Sequence, residues 1–349
     1  MELFVTKRLD SLDAAADKPG LKRHLGPFGL IALGVGMIVG AGLFSLTGIA
    51  AGANAGPAVT LSFLVAALGC AFAGMCYSEL STMIPVSGSA YTYAYATLGE
   101  LVAWIIGWDL VLEYAVGASA VAVSWSKYAL SLLHDFGIAF PAALTIGPFE
   151  TVKLAGGATQ SGAINLPAIF VVVALSLLLM RGIRESSSVN NVIVVIKLAI
   201  VAVFVAVGFS YIDWHNYTPF IPPNAGTFGE YGWSGVLRGA GVIFFAYIGF
   251  DAVATGSEEA KNPKRDLPVA IIGSLVICTI IYILVSIGAV GTLPAAQLAE
   301  SDAPLSLALE EGAGLPWAAS LTAFGALVAI TSVLLVILYG QTRIFFAMA

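Results

Sequence analysis

GLIALGVGMIVGAGLFSLTGIAAG, residues 29–52, decides how the rest of the chain is read. It is long and apolar enough to cross a bilayer, which takes roughly 20 such residues. Yet Gly34, Gly36, Gly40 and Gly42 crowd its middle. A dinucleotide fingerprint is excluded, because the spacing is wrong and no βαβ context surrounds it. Close helix packing is one reading, since Gly36 and Gly40 form GxxxG. The other is an unwound stretch at Gly40-Ala41-Gly42 near the middle of the membrane, where glycine makes non-helical backbone cheap. The N–H groups opening the next half-helix would then favour an anion such as a carboxylate. Composition leaves packing and break both open.

The whole chain points to lipid. Its 349 residues are 59% hydrophobic and 10% charged, with a mean hydropathy of +0.93. A soluble domain carries about 25% charge. Cys70, Cys76 and Cys278 lie in apolar runs without metal-ligand spacing and read as small core residues. Eight apolar runs have the length of spans: 27–52, 58–83, 98–128, 165–182, 191–211, 235–257, 268–290 and 317–346. The connection at 129–164 has room for a short surface helix. The first run follows a polar segment and leads into further spans, which is not the pattern of a cleavable signal peptide. With the N-terminus in the cytoplasm, Lys7, Arg8, Lys18, Lys22, Arg23, Arg181, Arg184, Lys261, Lys264, Arg265 and Arg343 all fall inside. Lys153 alone falls in an outside loop, and Lys127 and Arg238 lie near outer helix ends. The expected placement is a multi-pass protein of the cell (inner) membrane with a cytoplasmic N-terminus.

That leaves Lys197, in the fifth run, about 9 Å from its cytoplasmic end at 1.5 Å per residue. A charged lysine at a helix centre costs about 2.5–3.5 kcal/mol to insert. The sixth run, GVIFFAYIGFDAVATGSEEAKNPKRDLP at 241–268, has Gly249 beside Asp251 in its middle. Runs one and six each open a set of five and cross in opposite directions. Interrupted helices at matching places in two inverted halves are the best sequence pointer to a transporter's binding site. In the third run, GWDLVLEYAVG at 107–117, Asp109 and Glu113 are four apart and share a face. Glu113 is the deeper and a candidate for the proton route or the substrate's surroundings, whereas Asp109 reads as a packing residue. Asp251 could pair with Lys197 or belong to an inner gate. Glu258 and Glu259 read as interface anchors.

Four stretches carry a resemblance: MIVGAGLF at 37–44, YSELSTMIPVSGSAYTYAY at 77–95, FFAYIGFDAVATGSEEAKNPKRDLPVAI at 244–271 and YGQTRIFFAMA at 339–349. They resemble the amino acid–polyamine–organocation superfamily, most closely the bacterial relatives of the cationic amino acid transporters. The resemblance implies an all-α polytopic membrane protein with the leucine-transporter-like inverted repeat of five helices. Residues 1–26 would be a cytoplasmic segment, 27–211 the first repeat, and 235–349 an incomplete second repeat, the chain stopping after helix eight where relatives continue. It implies that the α-carboxylate of a substrate meets the backbone of Gly40, Ala41 and Gly42, and that its amino group meets carbonyls of Ile38, Phe245, Ala246 and Ile248. It also implies that Lys197 takes the place of a sodium ion and couples transport to protons, the alternative being a structural ion pair with Asp251 or Glu113. Ile337 would be a bulky wall favouring small neutral amino acids over arginine.

The expected activity is secondary active transport of L-amino acids, by proton symport with alternating access. An amino acid or polyamine exchanger and a non-transporting sensor are the alternatives. The expected partners are an amino acid, protons and membrane lipids, with no nucleic acid. No cofactor or metal is expected, and no nucleophile–base pair or phosphate loop speaks for an enzyme.

Overall fold

The computed structural model describes residues 6, 25–84, 89–138, 140–153, 159–181, 187–255, 260–301 and 303–348. The basic residues Lys7, Arg8, Lys18, Lys22, Arg23 and Arg184, the carboxylates Glu258 and Glu259, and the loop at 85–88 lie outside the described residues.

The first run does not form one helix. α1 spans Pro27–Ile38, with a proline in its first turn where no N–H is missed. Val39 and Gly40 are non-helical. Helix resumes as a wide π-type turn at Gly42–Leu46, a regular turn at Thr47–Ala50 and a second wide turn at Ala51–Ala55. The second run is the unbroken α2, Val59–Met83. α3, Ser89–Thr97, occupies what reads in sequence as a polar connection. α4, Glu100–Asp135, has 36 residues, about 54 Å at 1.5 Å per residue. That length exceeds a bilayer core of about 30 Å, so the helix tilts or protrudes.

The connection beyond α4 holds no surface α-helix among its described residues. It holds a 3-10 turn at Ala142–Leu144 and a two-stranded antiparallel hairpin, β1 at Thr151–Lys153 and β2 at Thr159–Ser161, with Thr151 opposite Ser161. This corrects the expected short helix and adds a small hairpin to an otherwise helical chain. The turn residues of 145–163 favour a hairpin over a continuous helix.

α5 spans Leu166–Met180, capped by the Asn165 side chain accepting from the Ala168 amide, and α6 spans Ser187–Ser210. The sixth run is again broken. α7, Gly232–Phe244, tightens into a 3-10 turn at Phe245–Tyr247, and α8, Ala252–Thr255, follows after an irregular stretch. α9, Pro263–Thr292, and α10, Pro316–Met348, are continuous. Among the described residues, five helical stretches are long and apolar enough to span, namely Gly42–Met83, Glu100–Asp135, Val192–Ser210, Pro263–Thr292 and Pro316–Phe345. The expected eight single rods become five long ones and shorter pieces, because runs one and six are interrupted and α5 has only 15 residues.

α9 packs along α1, α2 and α6, while α10 packs along α4 and α6. The broken spans therefore sit inside a frame of continuous helices. Their ends are tied as well: Lys261 donates its amide to the Leu25 carbonyl at 2.9 Å in a parallel bridge between Leu25 and Ala260.

Candidate functional site

The two breaks meet. A Cβ built on Gly42 would lie 2.4 Å from the Cα of Ala246, so only glycine lets the two backbones come this close. On the other side of the first break, a Cβ on Gly40 would lie 2.7 Å from a methyl of Val333 in α10. The second break turns on Gly249, whose φ of +111° is disfavoured for any residue with a side chain.

Breaking a helix frees carbonyls, and in an apolar surrounding each needs a donor. Three side chains from the frame supply them. Lys197 in α6 is 1% exposed, and its Nζ donates to the Gly36 carbonyl at 2.7 Å and the Val39 carbonyl at 3.4 Å. It thus sits at the C-terminal end of α1, where aligned peptide dipoles favour a cation. Tyr282 in α9 places its hydroxyl 2.8 Å from the Ile38 carbonyl and 2.7 Å from the Ala246 carbonyl. Tyr128 in α4 donates to the Phe44 carbonyl at 2.6 Å and meets the Phe44 ring edge-on.

Of the expected unwound residues Gly40, Ala41 and Gly42, only Gly40 is non-helical. Val39 and Gly40 leave the helix, with Val39 extended at φ −74° and ψ 99°, whereas Ala41 and Gly42 already open the next half-helix. The amides of Ala41 and Gly42 are thus first-turn N–H groups, the positive end of that half-helix.

Beside the breaks lies a cavity of about 30 Å³, room for roughly one or two waters. Met37 of α1, Glu113 and Gly117 of α4, Ile248, Gly249 and Asp251 of the second break, and Val333, Val336 and Ile337 of α10 line it. The structure thus brings four of the expected residues, Glu113, Ile248, Asp251 and Ile337, to one wall. Asp251 is buried there, and Glu113 is exposed on its helix face. Lys197 is outside this lining and faces the α1 carbonyls instead. Asp109, expected to fix packing, is exposed. Ala246 is buried in the core, where the second break begins.

Sequence reading missed Tyr282, Tyr128 and Val333. A signal existed for the first: a tyrosine in the middle of an apolar span must find a partner for its hydroxyl, as a lysine there must for its ammonium.

Two interrupted helices that meet at their breaks inside a frame of continuous ones are the arrangement of a membrane transport protein. The solved structure of MhsT in complex with L-phenylalanine overlays with a TM-score of 0.61, covering 94% of this chain and 79% of that one at 15% identity. The fold is therefore the leucine-transporter-like inverted repeat. Residues 25–349 match the family described as amino acid permease. The chain is 48% identical to the branched-chain amino acid permease BcaP of Bacillus subtilis, over 97% of this chain and 70% of that protein. It is 44% identical to the methylthioribose transporter of the same organism, over 99% of this chain and 71% of that protein. It is 41% identical to the chloroplastic cationic amino acid transporter 9 of Arabidopsis thaliana, over 93% of this chain and 55% of that protein. The chain belongs to the amino acid permease family and is a multi-pass membrane protein.

Proposed function

We propose that this chain carries the substrate site of a proton-coupled permease for neutral L-amino acids, working by alternating access in the cell membrane with its N-terminus in the cytoplasm. The observation that carries the reading is the contact of the breaks at Gly42 and Ala246, which brings carbonyls of Ile38 and Ala246 and the first-turn amides of Ala41 and Gly42 into one region. Acceptors beside donors, both from backbone, suit a zwitterion. The amino group goes to the carbonyls of Ile38, Phe245, Ala246 and Ile248, and the carboxylate to the amides of Gly40, Ala41 and Gly42. The side chain then faces the wall that includes Ile337, where aliphatic groups of Val333 and Val336 favour neutral apolar substrates. The name of the branched-chain permease among the relatives supports this choice.

Lys197 couples the site to protons. As an ammonium it holds the end of α1 through the Gly36 and Val39 carbonyls. Deprotonated, it keeps two of its three N–H donors but loses the charge that the helix end favours, and α1 is freer to move. Glu113 and Asp251, on the cavity wall, form the route by which the proton reaches or leaves this region. The two broken spans, in contact at their breaks and bridged at Leu25–Ala260, move together against the frame.

The test is uptake by the purified protein, in proteoliposomes, of labelled alanine, isoleucine and arginine, with and without an imposed pH difference. Expected is accumulation of isoleucine and alanine that grows with inward acid pull. Preference for arginine, or uptake only against a preloaded amino acid, would replace the reading with a cationic carrier or an exchanger.

A further inference from the structure

Inside a helix, glycine is a poorer choice than alanine, because its backbone loses more freedom on folding. Packing accounts for two buried glycines of the frame. A Cβ built on Gly107 in α4 would lie 2.7 Å from the Met348 sulfur, and one on Gly325 in α10 would lie 2.4 Å from an Ile200 methyl. Gly117, further along α4, is also buried, yet its surroundings differ. Beyond its own helix backbone, a Cβ there would meet one atom within 4 Å, the Ile337 Cδ1 of α10, at 4.0 Å. That is an ordinary van der Waals contact, so alanine would fit and packing does not account for the glycine. The unfilled room opens on the cavity beside the breaks, which Gly117 lines from α4 and Ile337 from α10. Val333, one turn before Ile337, is the residue that abuts Gly40 at the first break. The gap therefore lies about 6 Å along α10 from that break, at 1.5 Å per residue.

We propose that Gly117 sets the size of the side chain the site accepts. Its missing Cβ leaves a slot between α4 and α10, ended by the Ile337 Cδ1, and the slot takes the end of a branched aliphatic side chain. The methyl of an alanine substrate stops short of it, whereas the four-carbon side chain of isoleucine or leucine enters it. One methyl added at Gly117 would touch Ile337 and close the slot from the α4 side. The helix thus gives up a little intrinsic stability at Gly117 and gains room for larger substrates. This inference rests on the reading that the substrate's carboxylate meets the first break and its side chain points to the Ile337 wall.

The experiment uses the purified protein in proteoliposomes with labelled alanine as tracer. Inhibition constants of isoleucine and of unlabelled alanine are measured for wild type, Gly117→Ala, Ile337→Val, the double variant and Gly241→Ala. Expected in wild type is inhibition by isoleucine at least as strong as by alanine. Gly117→Ala should raise the isoleucine constant about tenfold relative to the alanine constant, the effect of one methylene in an apolar pocket. It should do so without lowering the unfolding temperature, since the added methyl displaces nothing and favours the helix. Ile337→Val removes the Cδ1 that would face the new methyl, so the double variant should recover most of the lost isoleucine binding. Gly241→Ala, exposed in α7 with nothing within 4 Å, is the control and should leave the ratio alone. An unchanged ratio in Gly117→Ala, or a double variant no better than the single one, overturns the inference while amino acid uptake itself still stands. A lowered unfolding temperature in Gly117→Ala overturns it too, because the glycine would then serve packing. Were arginine taken up by wild type and neither alanine nor isoleucine, the functional reading would fail first and this inference with it.

Discussion

The two breaks solve the same problem with different uses of glycine. At the first, glycine provides space: Gly40 faces Val333 and Gly42 faces Ala246, at separations no Cβ tolerates. The interruption is short, Val39 and Gly40, and helix resumes at once. At the second, glycine provides torsion: Gly249 adopts φ +111° in an irregular stretch between Tyr247 and Ala252. The first break is a contact surface and the second is a bend. Substitutions should therefore fail for different reasons and by different amounts.

The largest effect is expected at Gly42. Gly42→Val would push the two backbones apart where they touch, and misplacement of binding groups by about 1 Å can cost about 100-fold. Uptake should fall by that order, with a lowered unfolding temperature. Gly241→Ala, at a position with nothing within 4 Å, is the matched control and should transport normally. A working Gly42→Val protein would mean that the breaks need not touch.

Next comes Lys197→Met. One proton moving down one pH unit supplies about 1.4 kcal/mol, enough for about tenfold accumulation. The variant should equilibrate its substrate without that accumulation, and its uptake should ignore an imposed pH gradient. Retained pH response would assign the coupling elsewhere. Gly249→Ala follows. Holding a residue with a side chain in such a backbone region costs about 1–3 kcal/mol. Uptake should drop about tenfold, with less loss of stability than at Gly42, because a Cβ there lies 3.3 Å from the Met37 Cβ and 3.4 Å from its backbone, whereas one on Gly42 lies 2.4 Å from the Ala246 Cα.

What the sequence revealed and what it hid divide along the same line. Residues that offend their surroundings were legible: glycines clustered in a spanning run, a lysine in apolar helix, a carboxylate beside Gly249. Each is costly in lipid, and so each pointed to a structural reason. The hydropathy pattern likewise marked the long rods α2, α4, α6, α9 and α10. Hidden were features that depend on who packs against whom. Nothing in the run around Tyr282 says that it reaches Ile38, 244 positions away, and also Ala246. The exact unwound pair, Val39 and Gly40 rather than Gly40 to Gly42, follows from Gly42 fitting against Ala246, a contact between distant segments. The polar stretch before α4 hid α3 because its tyrosines and small residues have little helical periodicity of hydrophobicity, and tertiary packing on α4 sets the helix instead.

The smallest effect is expected at Tyr128, which separates a hydroxyl that serves a helix from one that serves a break. Tyr128 and Tyr282 are both fully buried, and each offers its hydrogen to a carbonyl of the first broken span. Tyr128 meets Phe44, within the half-helix that has already resumed, where a widened turn has loosened one carbonyl. Its loss removes one hydrogen bond, worth about 1 kcal/mol net, from a segment whose course is otherwise fixed by packing. Tyr128→Phe should lower the unfolding temperature by about 1–2 °C, the entropy of unfolding being large in a chain of this size. KM should stay within about twofold of wild type, since no binding carbonyl is touched. Thermal unfolding in detergent, paired with uptake kinetics, checks both halves. If Tyr128→Phe instead raised KM severalfold, the carbonyls of the whole first span would act as one unit, and the distinction between its break and its resumed helix would be lost.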